Sequence, residues 1–386
     1  MIDFPATPTV GQTFTSGGQS WTWDGTKWLP AGLYGGPFVP QAGFVPAMND
    51  NRIINGDMRI DQRNAGAAGT GNSTYTVDRW GYNGTVAGKM QWQQAPATGA
   101  FPYCLNMASL SAYTPAAAEG FFLVQAIEAD MVSDFQWGTA QAQPVTLSFW
   151  IGSSIAGTFG GAVLNAAQTR SYPFSFSVPT ANVWTKIIIT IPGDTGGTWV
   201  LKGNGVALYV RFDLGTGATY RGPAGAWASA NYIGANGTVQ SVATNGATYG
   251  LTGVKLEIGS IATPFNRQSL AKSMADCQRY YEKSYDLATA PGTITTNGGS
   301  FIYTALPAPA SGGTTVKYSV TKRATPTVTF YSGLTGSFNA IFDQGSNVDV
   351  APTLLSPGQQ GFGWYAASST QAGINFLAHW IADAEL

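Results

Sequence analysis

Residues 206–214 read VALYVRFDL. Leu208, Val210, Phe212 and Leu214 recur with a period of two, which puts them on one face of an extended strand and leaves Tyr209, Arg211 and Asp213 on the other. The same alternation appears on either side of this stretch. VTLSFWI (145–151) sets Val145, Leu147, Phe149 and Ile151 against Trp150, and GVKLEI (253–258) sets Val254, Leu256 and Ile258 against Lys255 and Glu257. YPFSFSV (172–178) and WTKIIITI (184–191) extend a series of short strands divided by turn residues, with no helical stretch among them. Such a series implies an antiparallel sandwich, and residues 51–266 are expected to form one large jelly-roll domain.

Composition agrees with a mainly β chain rich in turns. Only 10% of the 386 residues are charged, against roughly 25% in ordinary soluble proteins. The 49 glycines and 21 prolines favour turns, while 44% hydrophobic and 13% aromatic residues are enough to build a core. A net charge of −1, from 19 basic and 20 acidic residues, gives no electrostatic footprint for nucleic acid. The longest apolar run, IIITI at 187–191, is far short of the roughly 18 residues that span a bilayer, so no membrane insertion is expected. One histidine (His379) and two cysteines (Cys104 and Cys277) are too few soft ligands for a zinc, haem or iron–sulfur centre. Neither cofactor nor metal is expected, and the cysteines read as buried free thiols. MIDFPATPTV at the start has no basic patch followed by an apolar run, so synthesis in the cytoplasm is expected.

Length suggests two or three domains, and the flanks of the sandwich have their own character. Residues 1–32 alternate strand and turn, through GQTFT, QSWTW and TKWLP, and read as a small β-meander whose buried area must come from Trp21, Trp23 and Trp28. These tryptophans are also the candidate attachment residues. Residues 33–50, rich in Gly and Pro and without periodicity, read as an extended linker. Residues 267–286 (RQSLAKSMADCQRYYEKSYD) contain no Gly or Pro and predict the one helix, with Ser269 as its N-cap. Leu270, Met274, Cys277, Tyr281 and Tyr285 form its apolar stripe and are the candidate oligomer interface. Strands return in 287–386, through SFIYTAL, TTVKYSV, TPTVTFY, FGWYAAS and INFLAHWIA, predicting a small C-terminal β-domain.

Two groups of charged residues invite a chemical reading. Arg52, Asp57, Arg59, Asp61, Arg63, Asp78 and Arg79 are dense for so uncharged a chain and suit a partly buried ion-pair network, with a calcium site using Asp57 and Asp61 as the alternative. Glu119, Glu128, Asp130 and Asp134 are the carboxylates that a glycan-cleaving enzyme would need in facing pairs, although spacing alone sets no groove between them. There is no Gly-x-Ser-x-Gly elbow and no phosphate loop. The expectation is therefore not an enzyme.

Several segments together resemble tail-fibre and related virion-appendage proteins of tailed bacteriophages and prophages. They are SWTWDGTKW, NRIINGDMRIDQR followed by YTVDRWGY, the pair LSFWI and WTKIIITIPGD, LTGVKLEIGSIATPFNRQS running into DCQRYYEKSY, and the terminal ADAEL. The resemblance implies a homotrimeric fibre or spike on the virion. It would be anchored through its N-terminus to other tail, collar or head proteins, with a carbohydrate-binding-module-like jelly roll and the C-terminal domain turned towards host surface polysaccharide. Decoration of the head, collar or baseplate is the alternative location, and a glycan-degrading enzyme or its binding module the alternative function. If the strands share one sheet, Trp150, Tyr209, Arg211, Asp213, Lys255 and Glu257 form an outward face of rings and polar groups suited to a sugar.

Overall fold

The alternating apolar residues do form strands, and two antiparallel sheets bury them between one another. The computed structural model describes residues 4–16, 19–23, 25–30, 51–97, 99–304, 310–368 and 374–386. Two compact units are separable, 1–49 and 50–386. The first contains a three-stranded antiparallel meander of Thr13–Ser16, Gln19–Trp23 and Trp28–Pro30. Its small core is aromatic: Phe4 stacks on Trp28 at 5.3 Å and meets Trp21 edge-on at 5.4 Å, and Trp23 lies 5.6 Å from Trp28. The linker expected over 33–50 lies outside the described residues.

In the second unit one sheet has five strands, ordered Thr185–Ile191, Val145–Ser153, Thr248–Ile258, Tyr103–Ser109 and Met90–Pro96. The facing sheet has six, ordered Ser171–Val178, Gly157–Asn165, Val206–Thr216, Gly120–Glu128, Gly81–Gly84 and Thr74–Tyr75. The inward parity is the one the sequence implies. Val145, Leu147, Phe149 and Ile151 from one sheet and Leu208, Val210, Phe212 and Leu214 from the other are fully buried. Phe149 meets Phe212 and Phe176 edge-on, each at 5.0 Å, and Phe212 lies 6.1 Å from Trp80. Each such side chain contributes about 1.5–3 kcal/mol of transfer free energy, so these rows hold the two sheets face to face.

The helix is shorter than 267–286. It spans Leu270–Gln278, capped by Ser269, whose hydroxyl accepts from the Lys272 amide at 3.3 Å. Tyr281–Lys283 is a strand instead, paired with Ile374–Asp383. Aromatic residues prefer a pleated surface, and this one is held from both sides: Gln62 Nε2 donates to the Tyr281 carbonyl at 2.9 Å, and the Arg63 guanidinium lies 3.8 Å over its ring. Ile374–Asp383 also pairs with Ser300–Thr304, Thr327–Ser332 and Ile341–Asp343. A second sheet combines Ala310–Lys317, Gly361–Ser368 and Thr353–Leu355. Phe330, Trp364 and Trp380 are buried in a separate hydrophobic cluster there. The expected boundaries at 266 and 286 fall inside the compact unit 50–386.

The dense charges bind this unit together, mostly through partners far away in the chain. Arg59 pairs locally with Asp57 at 3.3 Å. Arg52 pairs with Asp134 at 2.5 Å, Arg63 with Asp383 at 2.8 Å and Glu385 at 3.1 Å, and Arg79 with Glu385. Asp61 accepts the amides of Asn64 and Gly66 at 2.9 and 2.8 Å. Asp57 thus faces Arg59 and Asp61 holds backbone amides, and among the described residues no group of three acidic, His or Cys side chains is placed together.

Candidate functional site

The six candidate sugar-binding residues do not share a sheet. Val206–Thr216 belongs to the six-stranded sheet, whereas Val145–Ser153 and Thr248–Ile258 are neighbours in the five-stranded one. Tyr209, Arg211 and Asp213 thus point out from one side of the sandwich, and Trp150, Lys255 and Glu257 from the other.

Three of the six are sequestered. Lys255 and Glu257 are buried as an ion pair of 3.1 Å. The chain returning through GSIATPF covers them: Thr263 donates its amide and hydroxyl to Glu257 at 2.8 and 2.6 Å, and Lys255 Nζ donates to the Pro264 carbonyl at 3.2 Å. Opposite charges two residues apart on one strand face neutralise one another, which makes this covering possible. Asp213 is also fully buried. It accepts the Gly215 amide at 2.8 Å and the hydroxyls of Thr216 and Thr238 at 3.2 and 3.3 Å, and burial pushes its carboxyl up to about 6. Gly234 packs against it so closely that a Cβ there would stand 2.2 Å from Asp213 Oδ2. Asp213 therefore anchors the 221–238 segment.

Tyr209 and Arg211 remain beside a cleft of about 460 Å³ on the outer face of the six-stranded sheet. Strand register builds it. Tyr209 and Arg211 stand opposite Ala126 and Val124, while Phe122, two residues along, stands beside Asn83 of Gly81–Gly84. Tyr75 and Gln168 complete the lining that the chemistry needs. The Arg211 guanidinium lies 4.6 Å from the Phe122 ring and 5.1 Å from Tyr209, and its Nη2 donates to Gln168 Oε1 at 2.9 Å. Burial lowers its pKa to about 10. The cleft offers two ring faces, a cation and amide groups within one depression.

Trp150 lines a different cleft, of about 320 Å³, on the five-stranded face, with Phe101, Asn182, Trp184 and Thr252. Glycines make room for its aromatic wall. A Cβ at Gly152 or Gly250 would come within 3.1 or 3.0 Å of the Trp184 ring. A third cleft, of about 330 Å³, lies between the 51–59 segment and the helix and brings Asp57, Arg59, Lys272, Asp276 and Arg279 together.

Phe122, Gln168, Asn83 and Trp184 were not among the sequence candidates. The signal for Phe122 was present: in FFLVQAI (121–127), Phe121 and Leu123 are core and Phe122 points away. Gln168 was not legible, because its place depends on a turn at φ +56°.

The candidate interface residues also divide. Leu270 is exposed and Met274 half-buried on the helix, but Cys277 is fully buried. Tyr281 and Tyr285 lie beyond the helix and are buried within this chain, Tyr285 stacked on His379 at 3.8 Å. The five do not form one exposed helical stripe. The four acids considered for catalysis each have a partner. Glu128 takes Arg279 at 3.0 and 2.9 Å, Glu119 the Tyr113 hydroxyl at 2.7 Å, Asp130 the Gly203 amide at 2.6 Å and Asp134 Arg52 at 2.5 Å.

No protein-family model matches this sequence, and no curated protein matches it. Among solved structures, it is similar to the enzymatically active domain of tailspike protein 4 of bacteriophage CBA120, at 10% identity and a TM-score of 0.30, over 54% of this chain and 21% of that one. A putative sugar binding protein from Bacteroides thetaiotaomicron aligns at 12% identity and a TM-score of 0.33, over 54% of this chain and 100% of its own. The family 11 carbohydrate-binding module of the cellulosomal cellulase Lic26A-Cel5E of Clostridium thermocellum aligns at 13% identity and a TM-score of 0.25, over 50% of this chain and 95% of its own.

Proposed function

We propose that this chain is a structural, carbohydrate-binding protein of a virion appendage, which attaches through its N-terminal aromatic unit and holds host surface polysaccharide on its sandwich. The observation that carries the binding half of this reading is the cleft over Arg211. Pyranose rings expose flat patches of C–H groups that pack on aromatic faces such as Phe122 and Tyr209, while their hydroxyls need fixed donors and acceptors such as Asn83, Gln168 and Arg211. The virion location and the homotrimer rest on the resemblance of segments such as GVKLEIGSIATPF and DCQRYYEKSY to phage appendage proteins, with head, collar or baseplate as the other positions it allows. Binding is favoured over glycan cleavage in this reading because Glu119, Glu128, Asp130 and Asp134 each hold a separate partner and none of the four lines the cleft over Arg211.

The test uses the full chain, with light scattering for mass and calorimetry against host-surface oligosaccharides. We expect three chains per particle and saturable binding without release of reducing ends. Tyr209→Ala and Phe122→Ala are each expected to weaken binding about tenfold, or about 1.4 kcal/mol. Unchanged affinity in both variants would move the site elsewhere, a monomer would remove the fibre reading, and new reducing ends would favour the enzyme.

A further inference from the structure

We infer that the cleft over Arg211 selects a carboxylate-bearing sugar, a hexuronic acid residue of an anionic polysaccharide. This inference rests on the reading that the cleft binds carbohydrate, and it adds the chemical class.

The argument starts from how the chain treats its arginines. Arg52, Arg59, Arg63, Arg79, Arg170, Arg221, Arg267 and Arg279 each lie within 4.0 Å of a carboxylate. Arg323 has no acid but donates to three backbone carbonyls, those of Ala384, Asn204 and Glu385, at 2.7–2.8 Å. Arg211 has neither arrangement. It is 5% exposed, its one hydrogen bond among the described residues goes to the neutral Gln168, and its Nε has no acceptor. The ionisable side chains that act on it are two tyrosines, Tyr209 and Tyr220; Leu386 also lines the cleft, where its main-chain oxygen accepts from the Tyr75 hydroxyl at 2.9 Å and makes no ion pair with Arg211.

Burying a guanidinium without a counter-charge is unfavourable by several kcal/mol, and two ring faces offset only part of that. Apolar neighbours alone would be better served by Met or Leu. A planar fork of donors at the floor of an open cleft is instead the geometry that a carboxylate engages, and the low local dielectric strengthens that contact. Phe122 and Tyr209 flank the same guanidinium, so a sugar ring stacked there brings a carboxylate on its C5 within reach of the floor. Gln168, as a neutral acceptor, orients the fork without neutralising it.

The test is calorimetry of the full chain with oligomers of galacturonate, glucuronate, mannuronate and guluronate, each beside its carboxyl-reduced neutral counterpart, with a sulfated glucan as a further arm. The wild type should bind at least one uronate about tenfold or more tightly than its reduced form. Arg211→Met should bring that ratio near one. Gln168→Glu, which supplies a permanent carboxylate to Arg211, should do the same while leaving the fold intact by circular dichroism. Equal affinity for acidic and reduced oligomers in the wild type would overturn the acidic-sugar inference and leave the carbohydrate reading standing. A stronger preference for the sulfated glucan would overturn the carboxylate assignment, and binding to none of the ligands would remove both readings.

Discussion

Glu385→Gln is expected to destabilise the 50–386 unit by about 3–5 kcal/mol, the usual loss when one partner of a buried ion pair is removed. Glu385 is 5% exposed at its side chain and serves two arginines, Arg79 through Oε2 and Arg63 through Oε1. The two would be affected unequally. Arg63 keeps Asp383 at 2.8 Å and the face of Tyr281 at 3.8 Å. Arg79, 1% exposed, has among the described residues no other acid within 4.0 Å and would keep the Ala126 carbonyl at 2.6 Å and the Tyr280 ring at 3.5 Å. The predicted loss is thus the energy of one buried, uncompensated guanidinium. Urea unfolding of the full chain, followed by tryptophan fluorescence, reads it as a lower midpoint at unchanged slope. The double variant Arg79→Met/Glu385→Gln removes both charges and should recover most of the loss, to within about 1–2 kcal/mol of the wild type. A Glu385→Gln loss below about 1 kcal/mol, or a double variant as unstable as the sum of its singles, would refute the reasoning.

Two further outcomes follow from burial. The folded Asp213 carboxyl titrates at about 6, so between its unfolded value near 4 and about 6 the folded chain holds a proton that the unfolded chain releases. Stability should therefore fall as pH rises through that window, by on the order of 3 kcal/mol, and Asp213→Asn should remove this component of the slope; urea unfolding at pH 4 and pH 6.5 giving the same difference in both proteins would contradict it. Cys104 and Cys277 are buried and unpaired, and burial pushes the Cys104 thiol up to about 11. The native chain should therefore resist alkylation at pH 8 and take up two labels only after unfolding, as mass spectrometry would detect.

Much of the sandwich was legible because period-two alternation is a local property. Val145, Leu147, Phe149 and Ile151, and Leu208, Val210, Phe212 and Leu214, face inward as their spacing requires. Local pattern does not encode which strands become neighbours, and the outward residues show the consequence. Trp150 and Arg211 share the outward parity of their strands, but the order of strands sends them to opposite faces. Parity also says nothing about what later covers an outward residue. Lys255 and Glu257 point outward, yet the chain at 263–264 closes over them. The helix failed in another way. A spacing of three and four continues through Tyr281 and Tyr285, but pairing with Ile374–Asp383, nearly 100 residues later, overrides it.

The charged segments show the same limit from the other side. Their density correctly implied ion pairs, but the acids that satisfy Arg63 and Arg79 stand 306 to 322 positions away, in the last residues of the chain. The terminal ADAEL, which entered the sequence reading only through a family likeness, thus has a physical role of its own. It ties the 50–386 unit together by supplying the carboxylates that pair with Arg63 and Arg79. Arg211 is informative against this background. A chain that finds acids or carbonyls for nine of its arginines, even across 300 residues, leaves the tenth with one neutral partner, Gln168, at the floor of an aromatic cleft, and the acidic-sugar proposal rests on that contrast.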